Sequence, residues 1–180
     1  TQAMLAEQLK DKIPEIKYAS SFEKCEPTGA ASVFSNADKS VRKEGYFAMG
    51  DFFKIFSFPM VAGVASSALS RPNTIAISKQ MAIYFYGTPQ NALNKSIRLN
   101  SDQDLQITAV FDEVPRSSSL QFDYIRCWDD FLKENKWASN WGNTDPQTFV
   151  QLNSDAPVQN IAAKVKDFIY QFITKDKSLV

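Results

Sequence analysis

The chain has 180 residues, 44% of them hydrophobic and 22% charged, which is the composition of a globular protein with one large domain or two small subdomains sharing a core. Twenty basic residues balance twenty acidic ones. With no net charge and no basic stripe, nucleic acid is excluded as a main partner, because such binding rests on neutralising phosphates. Histidine is absent, which removes the Ser-His-Asp and Cys-His nucleophiles and most catalytic zinc sites.

In chain order, Ala3 to Lys12 is predicted helical, with Leu5 and Leu9 one turn apart and Pro14 stopping the helix. Ile16 to Cys25 reads as a strand and Glu26-Pro27-Thr28-Gly29-Ala30 as a turn. Ala31 to Ser35 and Ser40 to Met49 read as two strands of a hairpin with Asn36-Ala37-Asp38-Lys39 at its tip. Asp51 is placed to cap a short helix, Phe52 to Phe56, by accepting the free amides of its first turn. Pro59 ends that piece, and the run Phe52 to Phe58 is apolar on all sides, as a core plug is.

Ala62 to Pro72 reads as a loop and Thr74 to Ile77 as a buried strand. Ser78 is set to cap the helix Lys79 to Tyr86, which Gly87 terminates, and Thr88-Pro89 reads as a turn. Ser96 to Asn100 alternates like a half-buried strand and pairs back with Leu105 to Phe111 across a turn at Ser101 to Asp104. Leu120 to Cys127 reads as another alternating strand, with Leu120, Phe122 and Tyr124 on one face. Trp128 to Trp137 is predicted to be a short helix, Trp141 to Pro146 a loop and Thr148 to Asn153 a strand. Val158, Ile161, Val165, Phe168, Ile169, Phe172 and Ile173 then follow the spacing of one amphipathic helix.

The chemistry is thin. No phosphate-cradling glycine loop is present, so an ATPase would have to sit on another domain or chain. Ser21 with Lys24 and Ser40 with Lys43 have the spacing of a Ser/Lys hydrolase pair, but both lie in strand-like segments, where that spacing does not bring the amine onto the hydroxyl. Asp102 with Asp104, Asp112 with Glu113, and Asp129 with Asp130 read as solvated or capping carboxylates. Cys25 and Cys127 read as two free thiols. Trp137 and Trp141, with Trp128 nearby, fit a partner-binding patch or simple burial equally well. No stretch spans a bilayer; the longest apolar one, Phe56 to Leu69, is broken by Pro59 and Gly63. The chain opens on Thr1 with no signal peptide, which reads as a processed or excised chain.

Gly50-Asp51-Phe52-Phe53-Lys54-Ile55-Phe56-Ser57-Phe58-Pro59 is similar to a signature in the periplasmic core domain of MacB/FtsX-like ABC permeases, especially those of Bacteroidetes. Ala68-Leu69 and Pro72-Asn73-Thr74-Ile75-Ala76-Ile77-Ser78 resemble the family's next strand, Ala82 to Gly87 its helix ending in Phe-Gly, and Lys95 to Asn100 the strand after it. Ile107 to Phe111 with Val114-Pro115, Ser118 to Tyr124, and the early Lys12 to Ile16 continue the match in order. Asn94 and Ala109 stand where the family commonly has glycine, and Ser117 where it has asparagine.

The resemblance implies an α+β fold of mixed, mostly antiparallel sheets with packed helices. It implies a porter-like lobe (residues 1–50 with 145–180) and an inserted second lobe (51–144). Its structural signature falls on Asp51, Phe52, Phe53, Phe56, Phe58, Pro59, Pro72, Asn73, Ser78, Gly87 and Pro115, with no catalytic residue, cofactor or metal. It implies an ectodomain on the periplasmic face of the inner membrane, inserted between the first two membrane helices of a permease. In the family a further segment follows the C-terminal helix, and a chain stopping at Val180 leaves one sheet a strand short. The implied partners are those membrane helices, a cytoplasmic ATPase subunit, a permease twin, and a periplasmic adaptor or substrate. The residues alone leave open a free-standing periplasmic module binding peptide or lipid, and a hydrolase using Ser21 or Ser40.

Overall fold

A computed structural model describes residues 1–26 and 31–173. Its elements are α1 (Leu5–Lys12), β1 (Ile16–Lys24), β2 (Ser32–Asn36), β3 (Lys39–Lys43), β4 (Gly45–Ala48), α2 (Phe52–Phe56), β5 (Met60–Gly63), β6 (Thr74–Ser78), α3 (Lys79–Tyr86), α4 (Pro89–Ala92), β7 (Ser96–Leu99), β8 (Gln103–Phe111), β9 (Tyr124–Cys127), α5 (Trp128–Glu134), β10 (Gln147–Leu152), α6 (Val158–Lys166) and α7 (Tyr170–Ile173). The strands join one mixed sheet in the order β10-β1-β4-β9-β6-β8-β7-β2-β3, with β5 also paired to β8. Only β4–β9 and β6–β8 are parallel among the described pairings. The α+β class implied by the sequence is therefore the class observed.

The sheet curls. β3 and β4 are separated in sequence by Glu44 alone, yet five strands lie between them in the sheet. The β3 end must therefore fold back toward β9, and Lys43 pairs with Asp123, just ahead of β9, at 2.8 Å. Gly45 permits the return, because a Cβ there would lie 2.4 Å from the Tyr124 carbonyl oxygen on β9.

Side-chain alternation sorts the core into layers. Ile75, Ile77, Leu105, Ile107 and Tyr124 point inside the curl, where Met81, Ala82 and Phe85 of α3 meet them. Ala76, Ala109, Phe111 and Ile125 point the other way, under Phe52 and Phe53 of α2. Ala6 and Leu9 of α1, with Ile13 just after it, pack with Ile16 and Ala19 of β1 and with Phe168. Trp128 and Phe131 of α5 cover Phe47.

Several expectations need correction. The strand read over Ser40 to Met49 is two, β3 and β4, because the chain changes sheet neighbours at Glu44. Part of the loop read over Ala62 to Pro72 belongs to β5, where Gly63 has φ +76° and packs against the Thr108 backbone. Thr88-Pro89 opens α4, with the Thr88 side chain accepting from the Asn91 amide. Strand pairing begins only at Tyr124 in the segment from Leu120, and Phe122 and Tyr124 sit in different clusters. The C-terminal helix is broken into α6 and α7, with Val158 exposed. Residues Pro27 to Ala30 of the first predicted turn lie outside the described residues.

Candidate functional site

The signature segment builds an aromatic joint. α2 follows β4 and lays Phe52 and Phe53, both fully buried, on the outer face of the sheet. The Phe52 ring stacks on Phe22 of β1, with centroids 5.2 Å apart and planes within 6°. It also meets Phe122 edge-on at 5.9 Å. Phe56 makes an edge contact with Phe149 of β10 at 5.0 Å, and Phe53 lies against Phe111 of β8 at 5.8 Å. Phe58 closes the group on Phe122 at 5.1 Å. One short helix thus bonds β1 and β10 on one side to β8 and the segment before β9 on the other. Offset and edge contacts of this kind add about 0.5–1.5 kcal/mol each beyond their area. Pro59 ends the segment, and its carbonyl accepts from the Asp112 amide at 2.8 Å.

Asp51 is fixed at the head of this joint but not as a cap. Its side chain, 7% exposed for the residue as a whole, makes no bond to the first-turn amides of α2. It takes Lys10 of α1 on one oxygen and Lys54, at 2.9 Å, on the other, and accepts weakly from the Ala19 amide. The sequence reading erred because Lys10, far away in the chain, competes successfully for the carboxylate. Burial pushes the Asp51 carboxyl up, but the hydrogen bonds from Lys10 and Lys54 outweigh it and hold it below the usual range. An open cleft of about 690 Å³ lies beside it, lined by Glu7, Lys10, Met49 and Asp51 among others.

The other signature residues are distributed through the scaffold. Asn73 has φ +57° and donates its amide to both oxygens of Asp130 at 3.0 Å. Its side-chain oxygen accepts from Gln103 and its carbonyl from Gln106. Pro72 precedes it as an exposed residue. Ser78 caps α3 through Met81, as the sequence predicts, and Gly87 ends it with φ +81°. The Pro115 carbonyl accepts from Ser118 and Gln121.

Asp130 is a site that sequence reasoning missed. It is 1% exposed, neither solvated nor an N-cap. Burial raises its carboxyl above the usual range, against the Asn73 amide and the nearby Arg126 charge. Arg126 of β9 is 4% exposed, lies 4.6 Å over the Phe47 ring and pairs with Glu134 at 2.6 Å. Its Nη2 also donates to Gln103, while Nε meets no partner among the described residues. The signal was available: an arginine inside an otherwise apolar strand.

The paired serines and lysines are kept apart. The Ser21 hydroxyl donates to the Ala3 carbonyl, while Lys24 pairs with Glu44. Ser40 is exposed and Lys43 is held by Asp123. Cys25 and Cys127 are both free, and burial pushes the Cys25 thiol up to about 12, so it is not a thiolate at neutral pH. Asp112 pairs with Lys79, Glu113 accepts from the Gln80 amide, and Asp104 pairs with Arg98. The tryptophans divide: Trp128 is buried on Phe131, Trp141 stacks on Phe172 at 4.1 Å, and Trp137 is 38% exposed.

The family model for the MacB-like periplasmic core domain matches residues 2–168. The chain belongs to that family. It is a periplasmic domain of a MacB-like ABC transporter permease, a class whose transporters contain membrane helices and an ATPase. Among the described residues no helix is long and apolar enough to cross a membrane. Three solved structures share this MacB-like fold. A domain assigned to a permease protein of Porphyromonas gingivalis aligns with a TM-score of 0.76 at 23% identity, over 94% of this chain and 76% of that one. The periplasmic region of MacB from Actinobacillus actinomycetemcomitans aligns at 0.68 and 10% identity, over 94% and 73%. The extracellular domain of the ABC-type transporter YknZ from Gram-positive bacteria aligns at 0.63 and 13% identity, over 95% and 83%. Among curated proteins no match is found.

Proposed function

We propose that this ectodomain carries ATP-driven movement of the permease's membrane helices into the periplasm as one stiff body, and there meets an adaptor, a substrate or a permease twin. The ATPase is then on a separate chain or domain. The observation that carries this reading is the packing of the two outer segments of the chain on each other. Phe168, just before α7, sits in the same cluster as α1. Lys164 of α6 pairs with Glu15, and Asn153 bonds both Pro14 and Glu15. Movement entering at either segment therefore reaches one common pad on β1 and β10.

Two lobes are part of the same proposal: α1, β1, β4, β10 and α6 in one, and α2 to α5 with β5 to β9 in the other. The division expected from the sequence puts residues 1–50 in the first lobe; the hairpin β2–β3 is instead grouped here with the second, on the ground that β2 pairs with β7. The aromatic joint and the β4–β9 pairing hold the lobes together.

The test uses the intact permease with its ATPase in lipid nanodiscs. A donor fluorophore is placed at Asp38→Cys, in the exposed turn between β2 and β3, and acceptors in the lipid headgroups of the nanodisc. Energy transfer from the domain to the bilayer is expected to differ between the nucleotide-free and vanadate-trapped states. Identical transfer in the two states would refute the coupling.

A further inference from the structure

We propose that the groove between the free edge of β3 and helix α3 binds an extended acidic peptide segment of a partner protein, which adds to β3 as a further strand. This surface does not depend on the membrane coupling proposed above.

β3 ends the sheet, and no described strand pairs with its outer side. The register shows which of its backbone groups are open. Val33 of β2 spends its N–H on the Asn100 side chain and its carbonyl on the Asn100 amide, both on the β7 side. Arg42 faces Val33. In antiparallel pairing such a residue belongs to a non-hydrogen-bonded pair and turns its own N–H and carbonyl outward. Ser40, two residues away, does the same, and its carbonyl now accepts from the Tyr84 hydroxyl of α3 at 3.1 Å.

The wall opposite this edge is α3. Between them lies a cavity of about 270 Å³ lined by Val41, Lys43, Gln80, Met81 and Tyr84. An edge strand facing a helix across an apolar slot is the geometry in which an extended peptide gains main-chain bonds and buries alternate side chains. Tyr84 is 44% exposed and is held across the groove by surface contacts, its hydroxyl bonded to Ser40, its carbonyl accepting from Lys39 and its ring lying 5.8 Å from the Lys39 amine, while Lys43 reaches Gln80 at 3.2 Å; a peptide entering the groove displaces these exposed contacts.

Charge selects the occupant. β3 reads Lys-Ser-Val-Arg-Lys and contains no acid. Lys43 is matched by Asp123, whereas no carboxylate among the described residues pairs with Lys39 or Arg42. A second β3 from another copy would set like charges opposite one another, which opposes pairing. A strand carrying glutamate or aspartate next to small apolar residues satisfies both the edge and the slot.

The test is fluorescence anisotropy on this chain with three labelled nonapeptides: one alternating glutamate and valine, one alternating lysine and valine, and the acidic one N-methylated at every second amide. The acidic peptide is expected to bind saturably, about tenfold or more tighter than the other two. In Lys39→Glu/Arg42→Glu, whose exposed sites leave the fold intact by circular dichroism, the preference is expected to invert. Tyr84→Phe frees the Ser40 carbonyl and is expected to tighten binding, and amide exchange at Arg42 is expected to slow in the complex. No saturable binding, equal binding of acidic and basic peptides, or a preference untouched by the charge reversal would each overturn the proposal.

Discussion

The aromatic joint under α2 and the polar belt beside α5 are both buried, yet they stabilise the sheet by different means. The joint is a stack of phenylalanines headed by Asp51, a carboxylate with two lysine partners. The belt holds Arg126 and Asp130 in near-complete burial, one paired with Glu134 and the other with a backbone amide. The joint gains directly from apolar area and ring contacts. The belt gains little net energy, since pairing must first offset desolvation, but it resists any change that leaves a charge alone.

The largest effect should come from the joint. Phe53→Ala is expected to destabilise by about 3–5 kcal/mol in denaturant melts, because the ring is fully buried against Phe111. Phe56→Ala, at a half-buried ring, is expected to cost about 2 kcal/mol. A cost below about 1 kcal/mol for Phe53→Ala would move the joint from core to surface and erase the contrast.

In the belt, Glu134→Ala leaves the Arg126 charge buried without its carboxylate, and is expected to cost about 2 kcal/mol, tempered by the partial exposure of Glu134. Arg126→Met removes the charge itself and is expected to cost less than Glu134→Ala. The reverse order would show that the arginine is worth more than its desolvation.

The smallest effects separate the two aspartates by pH. The Asp51 carboxyl is held low, so its contribution to stability is full above the ordinary carboxylate pKa of about 4 and is lost as pH falls through the lower folded value. Asp51→Asn should therefore be less stable than the parent at neutral pH, by about 1 kcal/mol, with the difference closing only in strong acid. The Asp130 carboxyl is held high, so ionising it costs the fold stability as pH rises from about 4 through the raised value. Asp130→Asn keeps an acceptor for the Asn73 amide, and should gain on the parent as pH rises through that window. Urea melts across pH check both signs; parallel curves for the two variants would show that the environments do not differ.

Of the two regions the joint was legible in the sequence and the belt was not, and most of the failures have a common cause. Local signals were reliable: the Ser78 cap and Gly87 stop of α3, the alternation of β7, and the apolar run that fills the joint. The α+β class and the family resemblance were also readable before the fold. Errors arose where a distant residue decides. Lys10 draws Asp51 away from its own helix, Asn73 draws Asp130 into the core, and the curl of the sheet splits one apparent strand at Glu44. A single amphipathic period ran from Val158 to Ile173, but the backbone breaks after Lys166 and brings Phe168 onto α1. The edge of β3 carried its charges in plain view, and only the register showed which backbone groups it leaves open.

Stiffness between the lobes is the claim on which the functional account stands. It is measured by spin labels at Gln8→Cys on α1 and Asp38→Cys in the β2–β3 turn, within the intact permease and ATPase complex. One unchanged distance distribution through the nucleotide-free, ATP-bound and vanadate-trapped states is the predicted result. A distribution that shifts or splits with nucleotide would mean that the lobes move against each other, and would contradict transmission by a single body.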